Sequence, residues 1–145
     1  MVIGVIPARL HSTRFPNKIL TPINEKPMVM HVYDRARESE KLDDVIIAID
    51  SNDTEEALKQ YKPNLKMTHP DHLSGTDRVA EVVKDMDVDV ILNIQGDEPM
   101  LNPSIIDQLV SCFDDEFVEM ATIGSRVIDS SDYLNPNSVK MMINE

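Results

Sequence analysis

Short runs dense in β-branched residues, separated by segments with helical apolar spacing, constrain this chain more than any other feature. Val2–Ile6, Asp44–Ile49 and Val88–Ile94 are near-continuous apolar runs, and Leu65–Thr68 is a shorter one. Runs of this length without polar alternation read as strands buried on both faces. Between the first two, Lys26–Ser39 places Met28, Val32 and Ala36 at four-residue spacing behind Pro27, a residue suited to a first helical turn. Asp53, with Glu56 three residues on, reads as a capping-box variant opening a helix through Ala57, Leu58 and Tyr61. Thr76 reads as the cap of a helix carrying Val79, Val82, Val83 and Met86, and Asn102-Pro103 as the start of one carrying Ile105, Ile106, Leu109, Val110 and Phe113. Glu119–Val127 and Val139–Ile143 read as further strands. The alternation predicts an α/β fold, a doubly wound and mostly parallel sheet, in a single domain spanning residues 1–145.

Composition narrows the classes. The 145 residues are 41% hydrophobic and 28% charged, as in a globular domain with a sizeable core. No apolar run approaches the roughly 20 residues that cross a bilayer. Nor does a basic segment precede the first strand as in a secretory signal, so the expected location is the cytoplasm. Cys112, the one cysteine, forms no internal disulfide and no cysteine-based zinc site; within an apolar helical stripe it reads as a small buried hydrophobe.

Charge is unevenly distributed. The net charge is −12, yet Met1–Asn24 contains no Asp or Glu and carries Arg9, Arg14 and Lys18, leaving −15 on the remaining 121 residues. A long nucleic-acid backbone is repelled by such a balance, whereas a small polyanion such as a nucleotide or phosphosugar fits one short cationic loop.

Ligands in doubly wound sheets bind beyond the carboxyl ends of the strands, where the strand order reverses. After the first strand, Pro7–Lys18 contains R-x-x-S-x-R-x-P-x-K, in which Arg9, Arg14 and Lys18 can hold phosphate oxygens while the Ser12 hydroxyl and backbone N–H groups fill in. It is neither a Walker A loop nor a dinucleotide fingerprint. After the fourth strand, Asn93–Pro99 brings Gly96, Asp97 and Glu98 to a turn. In a doubly wound order this acidic turn shares a crevice with the cationic loop, and a carboxylate opposite a polyphosphate requires a bridging hard cation, so Asp97 is the expected Mg²⁺ ligand. The third motif, His69–Arg78, leads into a helix, so Gly75 and Thr76 present backbone donors at a positive helix end. His69 and His72 lack a third nitrogen or sulfur ligand nearby in the sequence, and zinc is not expected there.

PARLHSTRFPNK (Pro7–Lys18), DHLSGTDR (Asp71–Arg78) and NIQGDEP (Asn93–Pro99), in this order and spacing, resemble the 3-deoxy-manno-octulosonate cytidylyltransferases, the CMP-Kdo synthetases, and NPNSVK (Asn135–Lys140) resembles their continuation. The resemblance implies a Rossmann-like nucleotidyltransferase fold. It implies that Arg9, Arg14 and Lys18 hold the triphosphate of CTP, that Ser74, Gly75 and Arg78 help shape the nucleotide and sugar site, that Gln95 contacts substrate and that Asp97 binds Mg²⁺. The catalytic contributions then fall to Arg9, Lys18 and Asp97. The implied reaction is attack by the anomeric hydroxyl of Kdo on the α-phosphorus of CTP, giving CMP-Kdo and pyrophosphate for lipopolysaccharide assembly. Such transfers rest on positioning and charge neutralisation, and no catalytic triad is visible or needed. The chain corresponds to a little over half of a family member. The remainder supplies a second metal carboxylate, much of the Kdo pocket and the dimer contacts in the family. Expected partners are therefore CTP and the acidic sugar, with neither nucleic acid nor membrane. The alternatives are a nucleotide-binding module without catalysis and a cytidylyltransferase for a different sugar acid.

Overall fold

Four parallel strands lie side by side in the order β5-β4-β1-β6, with β1 at Val2–Ala8, β4 at Asp44–Ile49, β5 at Leu65–Met67 and β6 at Val90–Asn93. The computed structural model describes residues 1–10, 17–124, 130–136 and 139–141. From β1 the chain moves outward through β4 to β5, then returns to lay β6 on the other side of β1. The order therefore reverses between β1 and β6, as the predicted doubly wound topology requires.

Alternation along the central strands builds two cores. Ile6, Ala8, Val45, Ile47 and Ile49 face one side with Val29, Val32 and Ala36 of helix α1 (Met28–Arg37) and Ile106 and Val110 of α4 (Pro103–Ser111). Ile3, Val5, Ile46 and Ala48 face the other, against Val79 and Val82 of α3 (Gly75–Val83). Strands buried on both faces explain the continuous apolar runs. Helix α2 (Asn52–Leu58) adds Leu58 to the first core, and a short α5 occupies Ser130–Leu134.

Several boundaries differ from expectation. Lys26-Pro27 is strand β3, paired antiparallel with β2 (Pro22-Ile23) through Asn24 and Glu25, both at positive φ, and α1 starts only at Met28. The cap of α2 is Ser51, whose hydroxyl accepts the Thr54 N–H, not Asp53. The cap of α3 is Ser74, not Thr76: Ser74 Oγ accepts the Asp77 N–H while Asp77 Oδ2 accepts the Ser74 N–H, a reciprocal box worth about 1 kcal/mol. Cys112 is exposed, in the 3₁₀ turn (Cys112–Asp114) that ends α4, where the apolar stripe has already rotated out of the core. His31 is half-buried, and its Nε2 lies 2.9 Å from the carbonyl oxygen of Ile23.

No strand forms among the described residues of Glu119–Val127 or Val139–Ile143. The physical reason is a missing burial partner: Met120 and Ile123 are exposed and Val139 is 95% exposed, so no packed face fixes a strand register there. Residues 125–127 and 142–143 of those predicted strands lie outside the described residues. No helix among the described residues is long and apolar enough to cross a membrane.

Candidate functional site

Pro7, near the carboxyl end of β1, is where the three motifs meet. A Cβ on Gly75 would stand 3.1 Å from Pro7 Cγ, and one on Gly96 would stand 3.4 Å from the Pro7 carbonyl oxygen and 3.3 Å from Ile6. Neither glycine has a positive φ. Gly96 therefore serves close approach to β1, without the positive φ of a tight glycine turn. Its absent side chain seats the acidic turn against β1, and that of Gly75 seats the start of α3 on the same strand.

Around this junction a crevice of about 220 Å³ is lined by Pro7, Arg9, Ser74, Gly75, Arg78 and Gln95, among others. That is below the roughly 300–1,000 Å³ of a complete small-molecule site. Gln95 donates to Asn93 Oδ1 at 3.2 Å, and Asn93 Nδ2 lies 3.5 Å from Thr76 Oγ1, so the end of β6 is tied laterally to the first turn of α3. The Ser74 hydroxyl donates to Asp77 Oδ2 at 2.7 Å and is engaged in capping. What α3 presents to the crevice is its amino-terminal end, where the first-turn N–H groups lack intrahelical partners.

Lys18, at the end of the cationic motif, meets Asp97 of the acidic turn. Lys18 Nζ lies 2.5 Å from Asp97 Oδ2, with side chains 41% and 42% exposed. Residues 79 apart in sequence meet because β1 and β6 are neighbours and each motif follows its strand. A half-exposed pair of this kind contributes at most about 1 kcal/mol, so either member is easily recruited to another partner. Ser12 and Arg14 fall outside the described residues. The loop that contains them is closed at its neck, where Asn17, at φ 57, donates its N–H to the Leu10 carbonyl at 3.1 Å.

Arg78 is placed differently from a substrate-facing cation. It is 2% exposed, and its guanidinium donates to Asp50 Oδ2 at 3.3 Å, to the His69 carbonyl at 3.3 Å and to Thr68 Oγ1. The Asp50 side chain is 9% exposed, and deleting one member of so buried a pair costs about 3–5 kcal/mol. Asp50 also accepts the Leu10 N–H on Oδ1 at 2.9 Å. This carboxylate is the residue that motif reading passes over. Its available signal is position, since it is the first residue after a buried strand.

The His69–Ser74 segment is also fastened to α3. Glu81 Oε2 accepts the His69 N–H at 2.9 Å and pairs with His72 Nε2, and these bonds, His72's first, hold the Glu81 carboxyl below the usual carboxylate range. The rings of His69 and His72 stand 6.3 Å apart at 79°. Among the described residues no group of three or more His, Cys, Asp or Glu side chains is placed to hold a metal by itself. Asp97 offers hard carboxylate oxygens beside the cationic loop, a donor set that suits Mg²⁺ when phosphate oxygens and water complete the shell.

Sequence and structure comparisons bear out the resemblance carried by the motifs. The cytidylyltransferase family pattern matches residues 3–145. A curated 3-deoxy-manno-octulosonate cytidylyltransferase of Pelobacter propionicus is 44% identical over 142 residues, covering 97% of this chain and 56% of the relative. An 8-amino-3,8-dideoxy-manno-octulosonate cytidylyltransferase of Shewanella sp. (strain W3-18-1) is 42% identical over 147 residues, covering 97% of this chain and 60% of the relative. A solved CMP:2-keto-3-deoxy-manno-octonic acid synthetase complexed with CTP superposes with a TM-score of 0.77 at 40% identity, covering 81% of this chain and 49% of the other. The chain thus spans a little over half the length of the two curated relatives and matches about half of the solved one. With the family pattern matched over nearly every residue, the chain belongs to the cytidylyltransferase family.

Proposed function

We propose that this chain is the nucleotide-binding portion of a 3-deoxy-manno-octulosonate cytidylyltransferase, binding CTP with Mg²⁺ and directing the cytidylyl group to the anomeric hydroxyl of the sugar acid. The observation that carries the reading is the Lys18–Asp97 encounter at the strand-order reversal. The pair joins a cation and a carboxylate at one point, which supports reading the first as a phosphate partner and the second as a metal ligand. The 40% identity to a CTP-bound synthetase supports the same assignment.

In this reading Arg9 and Lys18, with Arg14 and Ser12 of the same loop, hold the triphosphate, and the amino-terminal end of α3 with Ser74 and Gly75 borders the nucleotide. Gln95, steadied by Asn93, meets substrate at the end of β6. Asp97 holds the Mg²⁺, which when bound neutralises phosphate charge and helps orient the α-phosphorus. As nucleotide enters, the Lys18 ammonium passes from Asp97 to phosphate oxygens. The sugar's anomeric oxygen forms a bond to the α-phosphorus, the bond to the bridging oxygen of the β-phosphate breaks, pyrophosphate leaves with that electron pair, and the hydroxyl proton passes to water. Orientation and charge neutralisation by these side chains supply the rate enhancement.

The test mixes the chain with CTP, Mg²⁺ and Kdo and measures pyrophosphate release beside CTP binding by calorimetry. Release, together with loss of metal-dependent CTP binding in Asp97→Asn, is expected. CTP binding without release supports the module reading. Full metal-dependent binding by Asp97→Asn removes the metal assignment. The Shewanella relative favours a second sugar acid, 8-amino-3,8-dideoxy-manno-octulosonate, and a two-substrate comparison decides between them.

A further inference from the structure

Asp50 stands beside a proposed anion site, where an unpaired carboxylate would repel the ligand. Its geometry prevents this. One oxygen, Oδ2, faces the buried Arg78 guanidinium at 3.3 Å, which neutralises it; the other, Oδ1, accepts the Leu10 N–H at 2.9 Å. Leu10 is the neck of the cationic loop, because its carbonyl also accepts the Asn17 N–H at 3.1 Å. Both backbone polar groups of Leu10 are therefore committed, and the residues on either side of the neck are Arg9 and, just past Asn17, Lys18. Arg78 in turn holds Thr68 and the His69 carbonyl at the end of β5. One buried pair thus ties the carboxyl ends of β1, β4 and β5 to α3.

We infer that Asp50 is a positioning residue for phosphate recognition: held by Arg78, it pins the Leu10–Asn17 neck and so fixes where Arg9 and Lys18 present their charges. This deepens the proposed CTP site and rests on that reading. Asp50 does not touch the ligand. Its effect passes through the Leu10 amide, and it is the acceptor oxygen, more than the charge, that the loop requires. Preorganised cations bind a polyanion without first ordering their own backbone, so freeing the neck weakens binding even where every cation remains.

The test compares two charge-free variants of the full 145-residue chain, Asp50→Asn/Arg78→Met and Asp50→Ala/Arg78→Met. Both delete the ion pair, and neither leaves a buried unpaired charge. Only the first keeps an acceptor for Leu10. Binding of inorganic tripolyphosphate with Mg²⁺ is measured by calorimetry, and amide exchange of Leu10 and Asn17 is followed against the core amides of Val5 and Ile47. The Ala variant is expected to bind at least fivefold more weakly than the Asn variant, with faster Leu10 and Asn17 exchange and unchanged core exchange. Equal affinities in two folded variants overturn the inference, since a purely structural ion pair is lost alike in both. Should the variants not fold, the unsubstituted chain decides: tripolyphosphate must slow Leu10 exchange, and an unchanged rate overturns the inference. An unsubstituted chain that binds no tripolyphosphate, or an Arg9→Ala variant that binds it undiminished, refutes the anion site itself instead.

Discussion

Lys18 and Asp97 form an ion pair whose members, on the proposed reading, each have a second partner in the nucleotide complex. An aspartate at a strand end next to a cationic loop has two available partners, the lysine and a metal, and the half-exposed pair is weak enough to be exchanged. On the proposed reading, Lys18 and a divalent ion compete for the same carboxylate until phosphate draws the ammonium away. Lys18→Met removes the competitor and keeps the aliphatic stem. Binding of Mn²⁺ without nucleotide, read by the loss of its free-ion paramagnetic signal, is expected to tighten by up to about fivefold, the equivalent of an exposed pair worth up to about 1 kcal/mol. CTP affinity in the presence of Mg²⁺ falls in the same variant, because a phosphate partner is gone. An unchanged Mn²⁺ affinity would show that the ion pair does not occupy the metal position.

At the scale of elements, the His69–Ser74 segment is held to α3 by Glu81 on one turn and Arg78 on another. The Glu81 carboxyl lies below its ordinary value of 4.5 because His72 and the His69 N–H favour the ionised form. A carboxyl with a folded pKa below its unfolded one binds more protons when unfolded, so it stabilises the fold fully above about pH 4.5, and that contribution drains away as pH falls through the folded value. The melting temperature of Glu81→Gln should therefore trail the parent by a constant margin from neutrality to about pH 5, and the gap should close on further acidification; a gap that persists at pH 3 refutes the role. Glu81 also illustrates what a sequence can reveal about these elements. Strands buried on both faces announce themselves locally, and β1, β4, β5 and β6 all appear where apolar runs predict them, with ends shifted by a few residues. The cap of α3 is less legible, because Ser74 and Thr76 are both good capping residues and only the Asp77 return bond decides. The β2–β3 hairpin is invisible, because Asn24-Glu25 adopts its positive-φ turn without the glycine that usually signals one. Asp50 is legible only once Arg78, 28 residues on, is known to reach it. The segments near Met120 and Val139 have strand-like composition, but composition alone supplies no partner.

Over the whole molecule two electrostatic fields oppose each other at the crevice. Arg9 and Lys18 act at short range, while the −15 of residues 25–145 is spread over a globule whose radius of gyration is about 15 Å for this length. Screening separates the two by distance. At about 10 mM ionic strength the Debye length of roughly 30 Å is about twice that radius, and most of the carboxylates repel an approaching triphosphate. Near 0.1 M it is about 10 Å, so distant carboxylates are silenced while the adjacent cations still act; at 1 M, about 3 Å, the local attraction is screened as well. CTP affinity at fixed free Mg²⁺ should consequently pass through a maximum at intermediate ionic strength rather than decline steadily. Calorimetric titrations at 10, 100 and 1,000 mM salt test this, with cytidine as the uncharged comparison, whose affinity should vary little. A monotonic fall from the lowest salt would mean that the acidic remainder of the chain exerts no field at the site, and the uneven charge distribution would then have no part in selecting a small polyanion.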